Sequence, residues 1–273
     1  VIPRLIASDI DGTFLDPNHR VTQRTRDVVA RAVESGTHFA LATGRPFRWI
    51  APVLEQIPVR PLCVTSNGAV IYDSAADQVV LAHELQPETL TTIVETAQSV
   101  MARYGGIAVG AERAGTSTRD NVAELFVVDP AYGDDDLFGE FKKDTTEGVI
   151  SVPCVKLILR NLEYSSRELY ELIAPHVDPD EAHVTFSMDE GILEIAAPGI
   201  TKATGLTWLA DHYGVAQDET IAFGDMPNDI EMLRWAGRGV AMGNAADAVK
   251  EAADEVTTPN HQAGVATVLE RWF

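Results

Sequence analysis

Apolar residues follow two rhythms along this chain, and the change from one to the other marks its organisation. Leu5-Ile6-Ala7 is a short unbroken run that predicts a buried strand over 4–10, closing at Asp9. Thr22 then reads as an N-cap, and Val28, Val29, Ala32 and Val33 recur at helical spacing until Gly36. His38-Phe39-Ala40-Leu41-Ala42 gives a second buried strand, Pro46 opens a helix through about Glu55, and residues 61–68 read as a third strand with a turn. Strands alternating with helices in this way build a parallel, doubly wound sheet.

The alternation then breaks. Residues 69–73 and 78–82 flank a short turn and read as a hairpin, followed by a helix at about 87–103. Strand-like pieces at 106–111, 122–128 and 153–159, a helix at about 165–174, and short strands at 182–187 and 192–196 give an α+β order. Regular α/β order resumes after Pro198-Gly199. A helix spans 202–213, a strand 219–223 and a helix runs on to Leu233; a strand follows at 239–242, with helices at 246–252 and 263–272. The expected fold is therefore α/β: a doubly wound, parallel-sheet (Rossmann-like) core of residues 1–83 and 196–273, interrupted by an α+β domain of residues 84–195.

Composition narrows the function classes. The 273 residues carry 41 Asp plus Glu against 21 Lys plus Arg, a formal charge of −20. Nucleic acid and anionic membrane surfaces both require a basic patch, so neither is expected as a partner. No window approaches the roughly 18 apolar residues of a membrane span. Val1-Ile2-Pro3-Arg4 leads straight into a strand-like run rather than into a signal peptide. Two cysteines, Cys63 and Cys154, sit in apolar stretches and suit a reducing, cytoplasmic setting. The seven histidines share no spacing. The acidic run Asp134-Asp135-Asp136, followed by Lys142 and Lys143, reads as a solvated loop in preference to a metal site.

Ligands of parallel sheets gather at the carboxyl ends of the strands. Four polar clusters fall there: Asp9 and Asp11, Thr43-Gly44, Ser66-Asn67-Gly68, and Gly224-Asp225 with Asn228-Asp229. Lys202, at a helix start, is within reach of the same crevice. Residues two apart on a strand share a side, so Asp9 and Asp11 are expected to point together and to repel unless a cation compensates. Oxygen donors suit Mg2+, with Asp225 as a further carboxylate, and no His or Cys set with zinc spacing competes.

Such a site suits phosphoryl transfer. One carboxylate attacks phosphorus, and a second carboxyl group protonates the leaving oxygen and later activates water. Thr43, the Gly44 N–H and Lys202 supply donors for phosphate oxygens. Taken singly, several residues keep plainer readings. Thr43 is also a turn cap, Asn228 and Asp229 are also helix caps, Asn67-Gly68 is a natural turn pair, and Arg45 either pairs with a carboxylate or touches substrate.

The ordered set "DIDGTFLD", "LATGRP", "SNGA", "ITKATGL" and "GDMPNDIEML…AGRGVAMGNA" resembles the haloacid dehalogenase-like (HAD) superfamily, in particular its Cof-type phosphatases with an inserted α/β cap. The resemblance covers about 4–83 and 196–265. It implies Asp9 as nucleophile and Mg2+ ligand, and Asp11 as general acid/base and a ligand through its backbone carbonyl. It further implies Thr43 and Lys202 as phosphoryl holders and Asp225 as the remaining metal ligand. Asn228 and Asp229 lend support, Asn67 lines the pocket, and Gly12 and Thr13 form the turn that holds the two aspartates apart. One stretch departs from the pattern: where relatives carry an acidic residue and Asp-Gly-Val, this chain has Asn260-His261-Gln262-Ala263-Gly264-Val265, which puts any accessory role of that loop in doubt.

The expected activity is Mg2+-dependent hydrolysis of a small phosphorylated metabolite, a sugar phosphate foremost, through an aspartyl-phosphate. A phosphomutase or phosphotransferase on the same core would pass the phosphoryl group to an acceptor hydroxyl. A non-enzymatic phosphoacceptor, as in receiver domains, is about half this length and lacks the DxDGT spacing. An idle metabolite-binding protein would have no use for both Asp9 and Asp11. Nothing in the sequence chooses between a monomer and a dimer.

Overall fold

A computed structural model describes residues 1–134 and 140–273, so Asp135 and Asp136 of the acidic run lie outside the described residues. The chain forms two compact units, Val1–Val80 with Thr201–Phe273, and Leu81–Ile200. In chain order the strands are β1 (Leu5–Ser8), β2 (His38–Ala42), β3 (Leu62–Thr65), β4 (Val70–Asp73) and β5 (Gln78–Ala82). There follow β6 (Ala108–Glu112), β7 (Phe126–Val128), β8 (Lys142–Lys143), β9 (Lys156–Arg160), β10 (His183–Thr185) and β11 (Ile192–Ala196), then β12 (Thr220–Gly224), β13 (Arg238–Ala241) and β14 (Glu255–Val256).

The first sheet runs β14-β13-β12-β1-β2-β3-β4-β5. It is parallel from β14 to β3, and β4 turns back antiparallel on β3. After β1 the chain adds β2 and β3 on one flank, and later β12, β13 and β14 on the other. The strand order thus reverses between β1 and β12, where Ser8 lies opposite Phe223. A crevice opens at such a switch point, beyond the strand ends.

Local chemistry explains the flanking helices. Thr22 caps Gln23–Glu34, its side chain accepting from the Thr25 N–H at 3.2 Å, and Val28, Val29 and Ala32 are buried under it. Each fully buried side chain of valine or leucine size contributes roughly 1.5–3 kcal/mol. The Lys202–Tyr213 helix lies close against β3 because Gly205 has no side chain; a Cβ there would overlap Val64. Gly214, in the left-handed region at φ 63°, ends that helix. Pro46 begins a 3-10 turn, Phe47–Trp49, and the helix proper is confined to Ala51–Leu54.

In the second unit the sheet order is β10-β11-β9-β6-β7-β8, antiparallel except for the β7–β8 pair. Helices Pro87–Met101 and Ser166–Ile173 bury Leu90, Ile93, Met101 and Leu169 in one cluster with Leu157 and Leu159 of β9. The alternate β9 residue Ile158 packs on the other face with Phe126, Val128 and Tyr132. The expected strand over 122–128 is shorter than its apolar content suggests. Asn121 accepts from the Ala123 N–H and starts a helical turn, Val122–Leu125, so only Phe126–Val128 is extended. Among the described residues no helix is long and apolar enough to cross a membrane.

Candidate active site

Four segments bring polar side chains to the carboxyl ends of β1, β2, β3 and β12. At the first, the Asp9 N–H donates to the Phe223 carbonyl at 3.0 Å, carrying the β1–β12 ladder one residue past the strand. The chain then turns sharply. Phe14 and Leu15 donate back to the carbonyls of Asp9 and Ile10, and Gly12 takes φ 75°. Glycine is required at that position on two counts: the left-handed backbone, and the Asp225 carboxylate, which a Cβ would overlap.

This turn corrects one expectation. Asp9 and Asp11 do not share a side of a strand, because β1 closes at Ser8 and both residues lie beyond it. The Asp9 carboxylate is buried and accepts from Lys202 Nζ at 2.6 Å. The Asp11 carboxylate, half exposed, accepts instead from Arg45, through Nε at 2.7 Å and Nη2 at 2.5 Å. The carboxylates that crowd Asp9 come from the far end of the chain. Asp9, Asp225 and Asp229, all buried, each place an oxygen within 4.8 Å of the others.

Each member of the cluster is held from behind. Thr13 Oγ1 donates to Asp225 Oδ1 at 2.8 Å. Asp229 Oδ2 accepts from the N–H groups of Asp225 (2.9 Å) and Met226 (3.0 Å), and its Oδ1 accepts from Lys202 Nζ at 2.7 Å. Asp229 is therefore both the cap of its own loop and a wall of the site. Gly224 makes room for it, since a Cβ there would overlap the Asp229 side chain. Lys202 reaches the cluster because the turn after β3 fits under its helix; a Cβ on Gly68 would strike the Thr201 carbonyl.

The loops after β2 and β3 are stitched together. Thr43, buried, accepts from the Arg45 N–H through Oγ1 at 3.0 Å, and Gly44 lies between them. The Asn67 N–H donates to the Thr43 carbonyl and the Ser66 N–H to the Arg45 carbonyl. Asn67 adopts the left-handed backbone of a turn, φ 57°. Its Oδ1 accepts from Asn228 Nδ2 at 2.9 Å, across 161 positions of sequence. Asn228 Oδ1 is buried and has no hydrogen-bond partner among the described residues. A buried amide oxygen costs roughly 1–3 kcal/mol when left unpaired, so it asks for a donor or a cation.

The electrostatics ask for the same thing. One ammonium, Lys202, faces three buried carboxylates. Burial, then the charges of Asp229 and Asp225, raise Asp9 well above the ordinary aspartate range, against the pull of Lys202. Burial and Asp229 push Asp225 up to about 7. For Lys202 burial acts downward, but Asp229 and Asp9 outweigh it and hold the ammonium above its usual value. An all-oxygen donor set with surplus negative charge and an unpaired amide oxygen fits a hard divalent cation such as Mg2+. Asp11 stands outside this carboxylate set, through its side chain at least.

A family model for haloacid dehalogenase-like hydrolases matches residues 6–269 of the chain. The protein belongs to that family. Among its curated relatives, the 5-amino-6-(5-phospho-D-ribitylamino)uracil phosphatase YitU of Bacillus subtilis is 30% identical over 282 residues, covering 99% of this chain and 98% of the relative. The HMP-PP phosphatase of Cronobacter sakazakii is 29% identical over 246 residues, covering 89% and 85%. Among solved structures, the haloacid dehalogenase phosphatase BT1666 of Bacteroides thetaiotaomicron superimposes with a TM-score of 0.79 at 24% identity, over 99% of this chain and 95% of that one. The haloacid dehalogenase fold is thus established across both units, as the sequence motifs implied. One polar residue beside the Asp9 turn lies inside the "GVAMGNA" motif, which gave it no role. Asn244 follows β13 and donates through Nδ2 to the Gly12 carbonyl at 2.8 Å. Its signal was present, a polar residue just past a parallel strand, as for the other four clusters.

Proposed function

We propose that this haloacid dehalogenase-like hydrolase is a Mg2+-dependent phosphatase of small phosphorylated metabolites, working through an aspartyl-phosphate on Asp9. The enzyme class, phosphoric monoester hydrolase, rests on the family and on relatives that are phosphatases along their whole length. The observation that carries the mechanistic reading is the Asp9–Lys202 contact of 2.6 Å inside a buried three-carboxylate cluster at the switch point. A carboxylate placed there can meet a phosphate only if the surrounding negative charge is offset.

Asp9 and Asp225 would hold Mg2+, together with the Asp11 main-chain carbonyl that the family resemblance implies. The cation supplies charge neutralisation between carboxylate and phosphate. The chain does the rest. Lys202 and the Thr43 hydroxyl hold phosphoryl oxygens. Asp9 attacks phosphorus as the ester P–O bond breaks, and Asp11 gives a proton to the departing oxygen. Asp11 then takes a proton from the water that attacks the aspartyl-phosphate, releasing phosphate and restoring Asp9. Asn67 and Asn228 shape the wall of the pocket, and Thr13, Arg45 and Asp229 hold the reacting groups in place. The inserted unit acts as the cap that selects the substrate. A sugar or polyol phosphate is the favoured class, supported by the phosphorylated ribityl group in the name of the Bacillus relative. Cys63 and Cys154, both buried thiols, suit a cytoplasmic enzyme.

The test is hydrolysis of an aryl phosphate with and without Mg2+, followed by a panel of phosphorylated metabolites. Asp9→Asn is expected to lose on the order of 10⁴-fold or more in kcat, as removal of a nucleophile does elsewhere. Equal rates for Asp9→Asn and wild type would overturn the assignment.

A further inference from the structure

The turn that presents Asp9 is anchored on its inner side by Thr13, whose hydroxyl meets Asp225. On its outer side two asparagines hold it. Asn244 Nδ2 donates to the Gly12 carbonyl at 2.8 Å, and Asn244 Oδ1 accepts from the Asn260 N–H at 2.9 Å. Asn260 Nδ2 in turn donates to the Leu15 carbonyl at 2.8 Å. The two amides thus grip the turn at Gly12 and at Leu15, on either side of Thr13, and they are tied to each other.

We propose that Asn244 and Asn260 form a clasp that positions the Asp9–Leu15 turn for phosphoryl transfer. The proposal rests on the phosphatase reading above. Gly12 is the weak point of the turn, because its left-handed backbone has no side chain to fix it. The peptide after Gly12 carries Thr13, and Thr13 fixes Asp225. A rotation of that peptide would shift both the Asp11 backbone and the Thr13 hydroxyl. Asn244 blocks the rotation by holding the Gly12 carbonyl outward. Asn260 fixes the Asn244 amide so that its N–H faces Gly12, and pins the far end of the turn at Leu15. Both are positioning residues, and neither need touch the substrate.

Asn244 is exposed, so its removal costs little fold stability, and the effect falls on rate. In Asn244→Ala, kcat on an aryl phosphate with Mg2+ is expected to fall about tenfold, since small misplacements of reacting groups carry large rate costs. KM changes less than about threefold and Tm stays within about 3 °C, the size of two exposed hydrogen bonds. Asn244→Asp keeps the acceptor for Asn260 but sets an oxygen against the Gly12 carbonyl, and is expected to be as slow as Asn244→Ala. Asn260→Ala is expected to lie between these variants and wild type. Amide hydrogen exchange at Phe14 and Leu15, which needs no substrate, speeds up about tenfold in Asn244→Ala if the clasp holds the turn. Wild-type kcat and unchanged exchange in Asn244→Ala would overturn the clasp while leaving an inactive Asp9→Asn, and so the phosphatase reading, intact. An active Asp9→Asn would overturn the phosphatase reading, and the exchange measurement would still decide the clasp.

Discussion

Arg45 engages both carboxylate oxygens of Asp11, with Nε 2.7 Å from Oδ2. A fork of this kind fixes the plane of the carboxylate as well as its place. The guanidinium is itself held, with its Nη1 directed at the Trp49 carbonyl at 3.3 Å. Asp11 is the half-exposed carboxylate of the site, and without the fork it would sample several rotamers. If Asp11 is the acid/base proposed above, Arg45→Ala is expected to lower kcat by about 10- to 100-fold through its lost orientation. Arg45→Lys should recover little of this, because an ammonium cannot form the two parallel bonds. Steady-state kinetics on one aryl phosphate decides the matter, and a wild-type kcat in Arg45→Ala would show the pairing to be incidental.

Lys202 is wholly buried between Asp9 and Asp229. Replacing it with methionine keeps the volume and removes the cation, leaving three buried carboxylates facing one another. Breaking a buried pair from one side costs roughly 3–5 kcal/mol. For a chain of this size that corresponds to a fall in Tm of about 5–9 °C. The double variant Lys202→Met with Asp229→Asn should regain part of the loss, because one of the stranded charges is then gone. If Lys202→Met melts at the wild-type temperature without metal present, the ion pairs do not hold the site together.

How far the sequence foretold this arrangement depends on the range of each interaction. The strand ends at Asp9, Thr43, Ser66 and Gly224 were legible, because short apolar runs stopping at polar residues are a local signal. The family motifs then pointed to Asp9, Lys202, Asp225 and Asp229, which the fold brings together. A carboxylate pair for Arg45 was one of its two open readings, but which carboxylate was not legible: a two-residue spacing suggested a shared side for Asp9 and Asp11, and only the left-handed turn at Gly12 sends them to different partners. Asn67 and Asn228 were legible as pocket residues, with a turn pair and a helix cap as their plainer readings, but their mutual bond across 161 positions depends on the sheet order. The helical turn at Val122–Leu125 was hidden for a different reason: its apolar residues suit a strand equally well, and Asn121 decided it.

The carboxylate cluster predicts a metal effect that can be read without substrate. Mg2+ bound by the folded site and not by the unfolded chain stabilises by about 2.7 kcal/mol at one hundred times its Kd. Wild-type protein is expected to melt several degrees higher in Mg2+ than in EDTA. Asp225→Asn removes one oxygen anion from the set of three, and its melting temperature should respond weakly to Mg2+. A full shift retained in Asp225→Asn would place the cation elsewhere.

His38 gives a pH-dependent term away from this cluster. It begins β2, and its ring stacks on Tyr213 with centroids 3.8 Å apart and planes 9° from parallel. Partial burial, then the charges of Arg4 and His212, lower its pKa below the ordinary histidine value. The folded state thus resists protonation where the unfolded chain accepts it. Stability from this residue is fully present above the unfolded value, about 6.5. It declines as the pH falls below that value, until the folded state is protonated too. His38→Phe keeps a flat ring against Tyr213 and cannot take up a proton. Denaturant titrations at pH 7 and pH 5 should show a larger loss for wild type than for His38→Phe, with kcat at pH 7 unchanged because His38 lies at the strand end remote from Thr43. Equal losses in the two proteins would mean that His38 titrates alike in the folded and unfolded chain.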